Sequence, residues 1–153
     1  MLFFLLLLWM ALVAGAVWCV YILIRKVNPR LPMVRVLING KVFTAELAMG
    51  VLEKARGLSG RDGLPEDGGM LFLFRRAGRH GFWMMGMKFP IDFVWIRHGA
   101  VVGISQNAQP QPGKAMWSLN MYYPPEGIDR VLEVNAGAIK KFGLKVGDPV
   151  VIK

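Results

Sequence analysis

The chain has 153 residues, 54% of them apolar, with 19 Lys and Arg against 10 Asp and Glu for a net charge of +9. That length admits one domain plus a short additional segment. The sole cysteine, Cys19, lies in the apolar first segment, which excludes a disulfide within the remainder.

Residues 1–24, MLFFLLLLWMALVAGAVWCVYILI, contain no charged residue and no proline. As a helix they would extend roughly 36 Å, enough to cross a hydrocarbon core of about 30 Å. They are predicted to form an uncleaved transmembrane anchor. A cleaved signal peptide would begin with a basic region and end at small residues. Here no basic side chain opens the run, and Val17, Trp18, Val20 and Tyr21 continue it. Ala11, Gly15 and Cys19 recur every four residues, a small-residue face on which another membrane protein's helix can pack. Arg25, Lys26, Arg30 and Arg35 follow directly, so the positive-inside rule places the remaining domain in the cytoplasm of a single-pass protein.

From Leu31 onward there are 16 basic and 10 acidic residues, a net of +6. This balance suits the lipid bilayer's anionic surface or an acidic partner. No nucleic acid is expected, because no basic helix and no basic run longer than Arg75-Arg76 occurs.

Residues 25–32 read as an extended linker carrying Pro29 and Pro32. A compact domain over residues 33–153 follows. Its first two strands, MVRVLI and KVFTAELA, are joined by Asn39-Gly40, a strong two-residue hairpin signal. MGVLEKARGL predicts two or three helical turns ended by Gly57. MLFLF reads as a short buried strand, RRAGRHG as a basic loop, and FWMM as a further extended run. IDFVWI and AVVGIS form a second hairpin around RHG. Residues 106–128, with Pro110, Pro112, Pro124 and Pro125, read as the longest loop. RVLEVNAG then runs as a strand into a short helix, AGAIKKFG, before a last strand in LKVGDPVVI. Short strands, Gly-rich turns and two short helices predict a mainly β (α+β) fold, a small β-barrel or rolled sheet.

Three segments in this order, ELAMGVLEKARGLSGRDGLPEDGGMLFLF, FWMMGMKFPIDFVWI and VLEVNAGAIKKFGLKVGD, resemble the family of the domain of unknown function 192. The resemblance spans about residues 34–152. Glu46, Arg56, Gly57, Leu58 and Arg61 match its first motif, and Gly69, Met70, Leu71 and Phe72 its second. Phe82, Trp83, Met84, Pro90 and Asp92 match the third, and Glu133, Gly137, Gly147 and Asp148 the last. The resemblance implies a compact, mostly β fold and no established activity. Many relatives look exported, which would put the domain outside the cytoplasm. Where the commoner pattern reads W-M-K-N-T, this chain has Trp83-Met84-Met85-Gly86-Met87, leaving Lys88 as the nearest basic residue.

Several residues stand out chemically. Met84, Met85 and Met87 could offer soft thioethers to Cu(I), yet neighbours in a strand alternate between faces, and Met also fills irregular cores. The expectation is core, with no metal and no cofactor. Glu46, Asp92 and Glu133 lie in or beside apolar strands, where an unpaired carboxylate is costly. Arg56, Arg61 and Arg130 are their natural partners, and Asp92 is expected to be held by one of them. The acids and arginines, with Trp83 and Lys88, then form either a structural lattice or a cleft for a polar ligand. A third reading makes the acids a carboxylate pair of a hydrolase or lyase. His80 and His98 sit beside glycines in turns, and neither shows a spacing to Ser59 or Ser118 that marks a triad. No phosphate loop, dinucleotide fingerprint or two-His zinc motif occurs. Trp117, Tyr122 and Tyr123, in the Pro-rich loop, either pack onto the barrel or face a partner. The expected protein is a membrane-tethered accessory or ligand-binding module of the cell envelope.

Overall fold

The computed structural model describes residues 9–15 and 31–153. The chain divides into two compact units, Met1–Arg30 and Leu31–Lys153. In the first, residues 9–15 are helical and expose Trp9, Met10 and Leu12. The rest of the expected anchor, with Cys19 of its small-residue face and linker residues 25–30, lies outside the described residues. No helix among the described residues is long and apolar enough to cross a membrane.

The second unit is mainly β. Strands β1 (Met33–Ile38) and β2 (Lys41–Ala48) form the expected hairpin, with Asn39 at φ 47° and Gly40 at φ 75°. Two successive positive φ values are what a two-residue turn matching the strand twist requires. Helix α1 (Val51–Arg56) stops at Gly57, again at positive φ. Strands β3 (Gly68–Gly78), β4 (Phe82–Trp83), β5 (Ile91–Arg97) and β6 (Ala100–Ala108) follow. A 3-10 turn (Met116–Ser118), β7 (Met121–Tyr122), β8 (Ile128–Asn135), α2 (Ala138–Phe142) and β9 (Val150–Ile152) complete the order.

Seven strands form one sheet in the order β6-β5-β8-β3-β2-β1-β9, antiparallel except for β2 beside β3. The sheet curls until its edges meet at one bridge, Ala100 to Pro149. Val101 N–H donates to Asp148 O at 2.9 Å, and Val150 N–H to Gly99 O at 2.8 Å. β4 and β7 make a separate two-stranded ribbon.

Both sheet faces are buried, which explains why β5 is covered from Ile91 to Ile96. One face carries Phe43, Leu71, Val94, Ile96 and Leu132, closed by Ala138 and Ile139 of α2 and by Leu144. The other carries Met70, Phe72, Phe93 and Trp95 against Leu58, Met84, Met87 and Phe82. Phe93 and Trp95 stack at 5.1 Å, and Phe82 meets both edge-on. Met84 and Met87 are therefore core residues, and Met87 also borders the cleft that Met85 lines.

Two expected boundaries shift. Arg75-Arg76-Ala77-Gly78 belongs to β3 instead of a loop, because the strand overhangs its core and carries exposed arginines on the projecting end. The stretch 106–128 is also less irregular than its prolines imply. It holds the end of β6, the 3-10 turn and β7, which is fixed by pairing Tyr122 with Phe82.

Candidate functional site

A cleft of about 290 Å³ opens on the second face of the sheet. One wall is α1. Its start is held by the Glu53 carboxylate, which accepts the N–H groups of Met49 and Gly50, each at 2.8 Å. The bond from Gly50, then that from Met49, holds this carboxyl below the usual range. Lys54 and Arg56 follow on the cleft side. Lys54 Nζ donates to Leu73 O at 2.9 Å and lies 4.8 Å over the Phe74 ring.

β3 and β8 supply the floor through Phe72, Phe74 and Glu133. His80, Phe82, Trp83 and Met85 form the opposite wall. His80 stacks on Phe74 at 3.8 Å, and its Nε2 lies 3.2 Å from Arg76 O. Gly81 is required where the chain turns into β4, since a Cβ there would meet the Tyr123 ring at 2.7 Å. Met85 and Met87, at the two positions where the commoner family pattern carries Lys and Thr, both line the cleft and make it more apolar.

Glu133 is the acidic residue of this lining. It is 5% exposed, and its carboxyl has no hydrogen-bond partner among the described residues. Burial pushes its pKa up to about 8, against a smaller opposing pull from Arg61. Near neutral pH the group is a protonated acid, able to donate one hydrogen bond into the cleft.

The other expected site residues divide. Glu46 and Arg61 join in a bidentate ion pair, with Arg61 Nη2 donating to Glu46 Oε2 at 2.7 Å. That bond, more than charge alone, holds the Arg61 proton more firmly. The pair lines a second recess of about 270 Å³ with Thr44, Leu64 and Asp67. Lys88 is exposed and pairs with Asp62 at 2.6 Å.

Asp92 departs from expectation. Neighbouring strand positions alternate in face, so Asp92 points away from Phe93 and into the opposite core. It is fully buried and has no arginine partner. Oδ1 accepts the Asn107 N–H at 2.8 Å, and Oδ2 accepts those of Gly137 and Ile139 at 2.9 and 3.1 Å. Three backbone amides satisfy it, and it ties β5 to the start of α2. Arg130, expected to pair with one of the three acids, contacts Asp129 at 3.2 Å. Tyr122 packs on Phe93 at 5.3 Å, whereas Tyr123 and Trp117 are exposed, Trp117 by 91%.

The cleft therefore takes Arg56, Trp83 and Glu133 from the sequence-derived set and adds Lys54, Phe74, His80 and Met85. Of these additions, only His80 lies within RRAGRHGFW, where aromatic and basic residues interleave.

A small rolled-sheet domain with one mixed apolar and cationic cleft is the class this geometry defines. The chain belongs to the DUF192 family, described as "Uncharacterized ACR", whose model matches residues 34–152. Its fold is similar to a protein of unknown function from Novosphingobium aromaticivorans. There the TM-score is 0.72 at 31% identity, covering 79% of this chain and 86% of that one. It is also similar to a protein from Sinorhizobium meliloti described as a candidate transcription regulator. That match has a TM-score of 0.73 at 28% identity over 82% of this chain and 97% of that one. Nearly the whole of this solved relative thus corresponds to a stretch about the size of Leu31–Lys153. That relative forms the fold as a chain of this extent. No curated protein matches the chain.

Proposed function

We propose that the protein is a membrane-tethered module that binds a small ligand in the Glu133 cleft, in an accessory role in cell-envelope assembly. The uncharged run of residues 1–24 supports the tether. The observation carrying the binding role is Glu133, an acid kept protonated and without a hydrogen-bond partner on the floor of an apolar cleft. A largely buried carboxyl on a cleft floor can exchange cleft water for a hydrogen bond to a ligand, which favours a ligand that matches it. With Lys54 and Arg56 on one wall and Phe72, Phe74 and Phe82 across the cavity, that ligand is a small molecule with an apolar body and a carboxylate.

The hydrolase or lyase reading needs two carboxylates facing one opening. Glu46 is engaged by Arg61 and Asp92 by three amides, which weighs against it. The description attached to the Sinorhizobium relative is not carried over. Among the described residues of the domain, helices of six and five residues supply no recognition helix.

Hexanoate and benzoate, titrated into the full-length protein in detergent and followed by saturation-transfer NMR, test the reading. Binding should survive Glu133→Gln, which still donates a hydrogen bond, and vanish in Glu133→Leu. In the wild type it should weaken above pH 8, as Glu133 ionises and repels the anion. Equal binding by all three proteins would overturn it.

A further inference from the structure

The mouth of the cleft is flanked by apolar side chains that nothing in the domain covers. On the α1 side, Val51 is 81% and Leu52 61% exposed, one turn before the cleft residues Lys54 and Arg56. Facing them across the opening is the β4–β7 ribbon. There Trp83 pairs with Met121, and both are exposed together with Tyr123. A Cβ on Gly81 would meet both Met121 and Tyr123 within 2.9 Å, so these side chains form one continuous ridge. Large apolar side chains left in water on two sides of one opening mark a surface that meets something.

The charge around this ridge says what. The end of β3 and the turn after it, the segment that lays His80 on Phe74, carry exposed Arg76, at the same strand parity as Phe74, and exposed Arg79. From Phe74 to Lys88 there is no acidic residue at all. An acidic protein partner would match the arginines yet leave the Val51, Leu52 and Trp83 surfaces wanting an apolar counterpart. An anionic bilayer interface supplies both at once. Trp and Tyr rings settle at the headgroup level, aliphatic side chains reach the acyl boundary, and arginines meet lipid phosphates.

We infer that this face docks the domain onto an anionic lipid surface, with Val51, Leu52, Trp83 and Met121 entering the interface and Arg76 and Arg79 meeting the headgroups. The cleft then opens toward the bilayer, and its ligand enters from the lipid phase. This docking is separate from the tether: it belongs to the folded domain and needs no residue before Leu31.

The test uses residues 31–153 and sedimentation with large unilamellar vesicles, either phosphatidylcholine alone or phosphatidylcholine mixed equally with phosphatidylglycerol. The domain should sediment with the anionic vesicles alone, less so as salt rises. Replacing Val51 and Leu52 together by Ser should weaken binding about tenfold through lost apolar insertion. Each of Arg76→Gln and Arg79→Gln should weaken it about fivefold. These positions are exposed, so unchanged thermal unfolding confirms that the variants fold. Absence of sedimentation with anionic vesicles overturns the inference. So does anionic binding that ignores the Val51/Leu52 change, since a net charge of +6 would then account for all of it. A dimer in gel filtration that the same change disperses, without vesicle binding, assigns the face to a second copy and equally overturns it.

Discussion

Glu46 and Glu133 stand on one lateral row of the sheet with Met70 between them, yet only Glu46 is ion-paired. Register pairs Glu46 with Met70 and Met70 with Glu133, which puts both acids on the same face about 10 Å apart. Arg61 is fastened to Glu46 and reaches Glu133 only through space. One arginine thus bonds to one acid and leaves the other to be governed by burial.

The pH dependence of stability follows from that division. Unfolded, Glu133 titrates near 4.5, and folded at about 8. Between those values the folded chain holds a proton that the unfolded chain has released. Stability therefore falls as pH rises across the window and levels off above about 8. The loss is on the order of a few kcal/mol. Glu133→Gln should match the wild type near pH 4 and be the more stable protein at pH 9. Urea midpoints across that range measure the difference.

Glu46→Gln should act on Glu133 at a distance. Arg61 already pulls the Glu133 pKa down, and without the Glu46 charge to neutralise it that pull grows. Carboxyl carbon NMR should show Glu133 titrating below its wild-type value. The half-buried pair also loses its charge-assisted bonds, costing about 1–3 kcal/mol in unfolding free energy.

Asp92→Asn should destabilise the domain by about 2–3 kcal/mol, because an NH2 donor replaces one of the two oxygens that accept three backbone N–H groups. Hydrogen exchange at Gly137 and Ile139 should quicken in the variant. Carboxylate binding in the cleft, on the other side of the sheet, should persist in molecules that remain folded.

How far the sequence is readable depends on distance along the chain. The hairpin turns at Asn39-Gly40 and His98-Gly99, the stop at Gly57 and the strand running into α2 are local, and local chemistry announces them. Asp92 is the opposite case. Its partners are backbone amides 15 to 47 positions away, and amides leave no mark in a sequence, so a side-chain arginine stood in for them. The row joining Glu46 to Glu133 was equally hidden. It depends on the parallel pairing of β2 with β3 and on β8 inserting between β3 and β5, neither of which neighbouring residues dictate. Period-two alternation did hold the fact that Asp92 and Phe93 face opposite ways, and with it the separation of Asp92 from the cleft.

The proposed membrane tether makes two predictions. The protein should stay in the membrane fraction after carbonate washing with Met1 intact, and recovery of a chain beginning near residue 20 would remove the anchor. A phosphatase that works only when exported, fused after Lys153, should be silent if Arg25, Lys26, Arg30 and Arg35 hold the domain in the cytoplasm. An active fusion would place the domain on the side where many relatives look to be.

β1 lies between β2 and β9, so the first strand of the domain to be synthesised is flanked by the last. Val36 pairs with Ile152, and Arg35 exchanges backbone hydrogen bonds with Lys153. On the ribosome the β1–β2 hairpin can close early, but β1 keeps a bare edge until residues 150–153 have cleared the exit tunnel. Emergence of residues 150–153 is thus the step that seals the sheet, and loss of that segment would leave a domain with an open, aggregation-prone strand.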